Sequence, residues 1–220
     1  MRVILLITII IHSFYCFPQQ DETQTDYTRK GLHLGFHIAP GIGNVQSNNS
    51  EVGFGFNSGA DLTIYFNNHV GINSGISYLL LPIKNLNEET VSGYGSDHYH
   101  LNFNYEGFVA SVGVPLKFIL TTGRKKGFYF KSGINVLFPL RAPVHSNSYN
   151  LDNTREYSTN TILLSGETDF GLSINISKIT NFNIGISSSY SFTNFLVGNF
   201  DNKGLLVGLQ LGLLFKLKND

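Results

Sequence analysis

Between Val52 and Phe66 the chain alternates with a period of two. Val52, Phe54, Phe56, Ser58, Ala60, Leu62, Ile64 and Phe66 share one parity; Gly53, Gly55, Asn57, Gly59, Asp61, Thr63 and Tyr65 share the other. Successive residues of a strand point to opposite faces, so this segment is a ribbon with one apolar face and one small or polar face. Seven further segments repeat the split. Leu32, Leu34, Phe36 and Ile38 oppose His33, Gly35, His37 and Ala39. Val70, Ile72, Ile76, Tyr78 and Leu80 oppose Gly71, Asn73, Gly75 and Ser77. The later segments run over 108–118, 128–138, 162–176, 182–192 and 205–215. Each is long enough for a tilted membrane strand, which needs about 9–11 residues.

Charge placement decides which face meets which solvent. The apolar faces of all eight segments carry no Asp, Glu, Lys or Arg, and the strand charges Asp61, Lys117, Lys131, Glu167 and Asp169 all fall on the opposite face. A soluble barrel has the reverse logic, with a polar exterior and an apolar filling. That alternative, a secreted lipocalin-like binding barrel, requires apolar residues on the face that here reads mostly Gly, Ser and Asn. The expected fold is therefore all-β: an eight-stranded antiparallel up-and-down transmembrane β-barrel over residues 31–218.

The connectors agree. Asn67 to His69, Thr121 to Gly127 and Ser177 to Asn181 are short; Asn44 to Glu51, Ile83 to His98, Arg141 to Tyr157 and Asn194 to Lys203 are longer and polar. Membrane barrels pair short periplasmic turns with long outer loops. Phe66, Phe128, Phe182 and Phe215 lie at strand ends beside the short turns or the carboxyl end, and form an expected aromatic girdle. The basic turn Arg124-Lys125-Lys126 reads as an anchor against lipid phosphates. Pro40, Pro82 and Pro139 are expected at the outer ends of strands. Pro115 lies inside a strand, where its missing donor predicts a bulge. A second bulge is expected near Glu106-Gly107, because Leu101, Phe103 and Tyr105 are odd while the apolar set from Phe108 onward is even.

The first twenty residues stand apart. Met1-Arg2, the apolar run from Val3 to Ile11 (broken only by Thr8) and the polar Gln19 to Glu22 describe an export signal over 1–20. Residues 21–30 then form a short periplasmic segment. Ser13 and Cys16 are both small enough to precede the cut, and Cys16 also admits a lipidated amino terminus.

The stretch Val112-Gly-Val-Pro-Leu-Lys-Phe-Ile-Leu120 resembles a strand of the PorT-like outer-membrane β-barrel family of Bacteroidetes, which carries a hydrophobic-x-hydrophobic-Pro-Leu pattern followed by Lys. In this chain the Lys follows Leu directly. Gly31 to Ala39 and Lys131 to Leu137 are similar to the family's first and fifth strands. The resemblance covers about residues 30 to 218. It implies an eight-stranded barrel in the outer membrane; some members are linked to secretion of other proteins, and no catalytic residues are carried over.

The function classes narrow accordingly. With 15 basic and 15 acidic residues and a net charge of +0, the chain lacks the electrostatic footprint of a nucleic-acid binder. One cysteine excludes a Cys-based zinc site. An eight-stranded interior is just wide enough for side chains to fill it, so Asp61, Glu167 and Asp169 are expected to be enclosed with Lys117 and Lys131 as a structural ion-pair network, against a gate or proton path as the sharper reading. His33 and His37 share the inner face as hydrogen-bonded lumen histidines rather than metal ligands, and Asp97-His98-Tyr99-His100 reads as a surface loop without metal. No cofactor is expected. No Ser-His or His-Asp set stands out as catalytic. The leading expectation is a non-enzymatic barrel in contact with outer-membrane lipid and with envelope or secretion-system proteins, acting through its outer loops or periplasmic turns. A lipid-modifying outer-membrane enzyme is the alternative.

Overall fold

The computed structural model describes residues 28–45, 51–92, 99–123, 126–141, 143–146, 154–156, 160–195 and 202–217. The expected export signal over 1–20, Cys16, Asp97, His98, Arg124 and Lys125 lie outside them. Among the described residues there are ten strands: β1 (Gly31–Val45), β2 (Gly53–Tyr65), β3 (Val70–Ser92), β4 (Tyr99–Thr121), β5 (Lys126–Arg141), β6 (Pro143–Ser146), β7 (Thr154–Glu156), β8 (Leu163–Asn175), β9 (Thr180–Ser191) and β10 (Gly204–Lys216). Eight of them pair antiparallel in the order β1-β2-β3-β4-β5-β8-β9-β10, and β1 pairs with β10 from His33↔Lys216 to Val45↔Gly204, closing the barrel. The remaining two, β6 and β7, extend the wall beside β4.

Parity fixes orientation throughout. Phe36, Ile76, Leu116, Phe170 and Leu209 project outward and are 48–62% exposed at the extremes of that set. His37, Asp61, Asn73, Lys117, Lys131, Glu167 and Asp169 project inward and are buried. The exterior is therefore a hydrocarbon-facing surface and the polar side chains are enclosed, the arrangement of a membrane barrel and the opposite of a soluble carrier. No described helix is long and apolar enough to cross a membrane; the strands make the crossing.

Several local expectations need correction. Pro82 does not end its strand: it pairs with Phe108, and β3 continues to Ser92. Most of the expected loop from Ile83 to His98 is thus strand, and β3 and β4, of 23 residues each, rise past the barrel as a hairpin. Pro40 likewise lies inside β1. Its ladder to β10 skips Ala39 and Pro40, then resumes in the same register at Gly41↔Gly208. Pro115 produces no bulge. It stays in register with Asn135 of β5, and only the ladder to β3 lapses between Ser74↔Leu116 and Ser77↔Gly113. A missing N–H costs a ladder bond but need not shift the register. Near Glu106 the irregularity is real, but the extra residue belongs to β3: Ile83↔Gly107 is followed by Leu86↔Tyr105. The expected loop from Arg141 to Tyr157 contains β6 and β7.

The outward parity yields a direct test. Leu116 is 54% exposed on the lipid face, so Leu116→Arg should lower the unfolding free energy by about 2–4 kcal/mol if its depth is near the midplane. Reversible urea titration in lipid vesicles measures it. An unchanged midpoint would place this face in water.

Candidate functional site: the filled lumen

The interior is stacked in three levels. At the level of the short turns, the chain just before β1 folds under the barrel. Arg29 is 1% exposed; its Nη1 donates to the Gly123 carbonyl at 2.6 Å and its backbone N–H donates to Asn68 Oδ1 at 2.8 Å. His33 Nε2 donates back to the Arg29 carbonyl at 2.8 Å. Tyr65 meets the His33 ring edge-on at 5.2 Å.

The charges sit at the middle level. Lys117 of β4 pairs with two carboxylates of β8, Glu167 at 2.6 Å and Asp169 at 3.0 Å. Strand register explains the reach. Gly133 of β5 lies between Lys117 and Glu167 in the same row, and neighbouring strands are about 4.8 Å apart. With no side chain at Gly133, the lysine can lie across β5. A Cβ there would stand 2.6 Å from Lys117 Cα. Gly113 does the same for Asn135, which donates to Ser77 Oγ at 2.9 Å and to Glu167 Oε1 at 2.6 Å. Ser187 donates to the second oxygen of Asp169 at 2.6 Å.

Asp61 and Lys131 are arranged differently from the expected single network. Asp61 pairs with His37, Oδ2 to Nδ1 at 2.9 Å, so one expected lumen histidine serves the carboxylate. Lys131 is the direct ladder partner of Asp169, yet Lys117 holds that carboxylate. Instead Lys131 lines a crevice with Asp61 and His37, and its Nζ stands 5.7 Å from the centre of the Tyr129 ring. Tyr129 donates to Gln210 Oε1 at 2.9 Å. The crevice among His37, Asp61, Lys131, Asn183 and Gln210 has no room for a water-sized sphere.

At the loop level the lining is apolar. Val45, Leu79, Leu81, Ile83, Val109, Leu137, Leu163, Phe195 and Leu206 form one buried cluster. Phe195 comes from the β9–β10 connector and is held by backbone bonds to Asn160 and Asn202 at 3.1 and 3.2 Å. Gly204 admits its ring, since a Cβ there would meet Phe195 Cε2 at 2.5 Å. Parity reading missed this level because it looked for alternation, and here alternation is lost. Leu79-Leu80-Leu81, Val136-Leu137-Phe138 and Leu205-Leu206-Val207 are continuous apolar runs. Such runs signal strands buried on both faces, and all lie near the loop end. For Arg29 the sequence offered no signal.

No protein-family model matches the chain, and no curated protein sequence matches it. Solved structures do. Neisserial surface protein A (NspA) is similar at 14% identity and a TM-score of 0.51, over 86% of this chain and 98% of that one. This chain is an outer-membrane-type β-barrel. Ail of Yersinia pestis (16% identity, TM-score 0.44, 84% of this chain and 99% of that one) and the outer membrane protein OprG of Pseudomonas aeruginosa (12%, 0.45, 89% and 100%) match more loosely. At these identities the likeness is one of fold.

The middle level is testable by charge. Lys117→Met leaves Glu167 and Asp169 buried without their cation, and should destabilise the barrel by about 3–5 kcal/mol. Adding Glu167→Gln and Asp169→Asn should recover most of that loss. Urea titration of the single and triple variants measures both; a triple variant as weak as the single would show that the charge pairing is not what stabilises this level.

Proposed function

We propose that this protein is a non-enzymatic outer-membrane β-barrel whose lumen is closed by its own side chains. In this reading it acts through its outer loops or periplasmic turns, as a part of an envelope or secretion assembly. The observation that carries the reading is the filling of the lumen at three levels: Arg29 below, the Lys117, Glu167 and Asp169 group in the middle, and the Phe195 cluster above. A barrel filled in this way has no interior site for a substrate of ordinary size, and its accessible chemistry lies at its ends. Within it Asp61, Lys117, Lys131, Glu167 and Asp169 have a structural role: Asp61, Lys117, Glu167 and Asp169 are answered by opposite charge or hydrogen bonds inside the wall, and Lys131 stands against the Tyr129 ring.

The β3–β4 hairpin supports action from the outer side. Pairing continues from Leu86↔Tyr105 to Ser92↔Tyr99, beyond the last β2–β3 pair at Phe56↔Leu80. The short strands β6 and β7 widen it. The division into an export signal over 1–20, a periplasmic segment over 21–30 and a barrel over 31–218 belongs to the same reading. So does kinship with the PorT-like family, which rests on the Val112 to Leu120 stretch. The partners on this reading are outer-membrane lipid and envelope or secretion-system proteins.

Two measurements test it. The purified protein in planar bilayers should be electrically silent; steady ion-conducting openings would refute the closed lumen. In cells, photo-crosslinkers in the β3–β4 hairpin or in the periplasmic turns should capture a defined envelope protein, and shortening the hairpin should abolish its capture there without unfolding the barrel. If no position captures a partner while deletion alters the acyl pattern of the outer-leaflet lipid, the lipid-modifying alternative replaces this one.

A further inference from the structure

We propose that Thr28–Lys30 is a proton-sensitive latch over the turn end of the lumen, and that His33 is the residue whose protonation releases it. The seat is built for this tripeptide from five parts of the barrel. Asn68, in the β2–β3 turn, accepts from the Arg29 backbone N–H at 2.8 Å and from Thr28 Oγ1 at 3.1 Å. Lys216 of β10 donates to the Thr28 carbonyl at 3.1 Å. His33 of β1 donates to the Arg29 carbonyl, Gly123 of the β4–β5 turn accepts from Nη1, and Ser173 of β8 lies 3.5 Å from Nη2.

The seat is nonetheless shallow in energy. The Arg29 guanidinium is buried with neutral acceptors only, no carboxylate lies within 4.0 Å of it among the described residues, and its Nε–H has no partner. A buried cation without a counter-charge is costly, and hydration on release offsets the bonds that are lost.

His33 tips that balance. It is fully buried, its Nε2–H is spent on the Arg29 carbonyl, and its Nδ1 has no partner. The groups facing it are Arg29 of the latch, Lys216 of β10 and Tyr65 of β2. A proton taken up at Nδ1 makes an N–H without an acceptor and adds a positive charge facing two others. The protonated form therefore favours the state in which the latch has swung out and water reaches the ring. Neutral His33 favours the seated latch. Release opens only the lower lumen, because the apolar cluster around Phe195 still closes the loop end. Bilayer recordings can thus stay silent while the latch moves, so this inference and the closed-lumen reading fail separately.

The test uses the full chain with Cys16→Ser and Ser173→Cys, in lipid nanodiscs, treated with a charged methanethiosulfonate. Its labelling rate is divided by that of Lys178→Cys, an exposed turn position, which corrects for the ordinary ionisation of a thiol; the His33→Gln variant, with the same thiol beside Arg29, corrects for what the guanidinium adds. The relative rate should rise about tenfold between roughly pH 7.5 and roughly pH 5, the range in which histidine changes charge. His33→Gln keeps a donor for the Arg29 carbonyl but cannot titrate, and should stay slow at both pH values. Arg29→Ala should be fast at both. An unchanged relative rate in the parent overturns the proposal whether or not the variants fold, as does a rise that persists in His33→Gln.

Discussion

Hydrocarbon offers a backbone no hydrogen-bond partner, and the rest of this structure follows from that. An open sheet would leave two edges unsatisfied in lipid at several kcal/mol per group. The ladder between β1 and β10, joining the two ends of the barrel sequence, removes both edges. Tolerance of Pro40 and Pro115 follows from the same closure. Each interrupts one ladder for two residues, while the ladder on its other side runs on through Pro40↔Phe56 and Pro115↔Asn135. The register is held from both sides, so a missing donor does not become a bulge.

Closure at eight strands sets the second constraint. The interior is one side chain deep from each wall, and whatever points inward must be answered from within. Glycine is the device that makes this possible. Gly133 and Gly113 carry no side chain into the lumen, and over them Lys117 and Asn135 reach partners two strands away. A pattern that reads along the chain as small residues filling a face is, across the barrel, a set of gaps through which the long polar residues connect. The two ends are closed by other chemistry: a guanidinium held by carbonyl and hydroxyl groups at the turn end, a phenyl ring among leucines at the loop end.

Local alternation made the strands, their inward and outward faces and the alternation of connectors legible, because a strand's period is a property of its own residues. The enclosure of Asp61, Lys117, Lys131, Glu167 and Asp169 was legible for the same reason: parity alone puts them inside. Their partnerships were not. Asp61 goes to His37, and Lys117 rather than Lys131 takes Asp169, because pairing depends on lateral order and on which neighbours are glycine. The apolar level at the loop end was written in the runs at Leu79 to Leu81 and Leu205 to Val207, but as a loss of alternation. Strand ends were misplaced wherever polar composition was taken for a loop, as at Asn85 to Ser92, since pairing with β4 outweighs the weak strand preference of those residues.

The class of solvent around this protein is written in its residues alone: a charge-free apolar parity in eight segments admits hydrocarbon outside and polar groups inside. What closes the lumen emerges from the assembled fold. Arg29 and Phe195 lie outside the periodic segments, 166 positions apart along the chain, and nothing local marks either as a stopper. They become stoppers because barrel closure leaves one opening at each end, with a set of partners that only the assembled wall brings together.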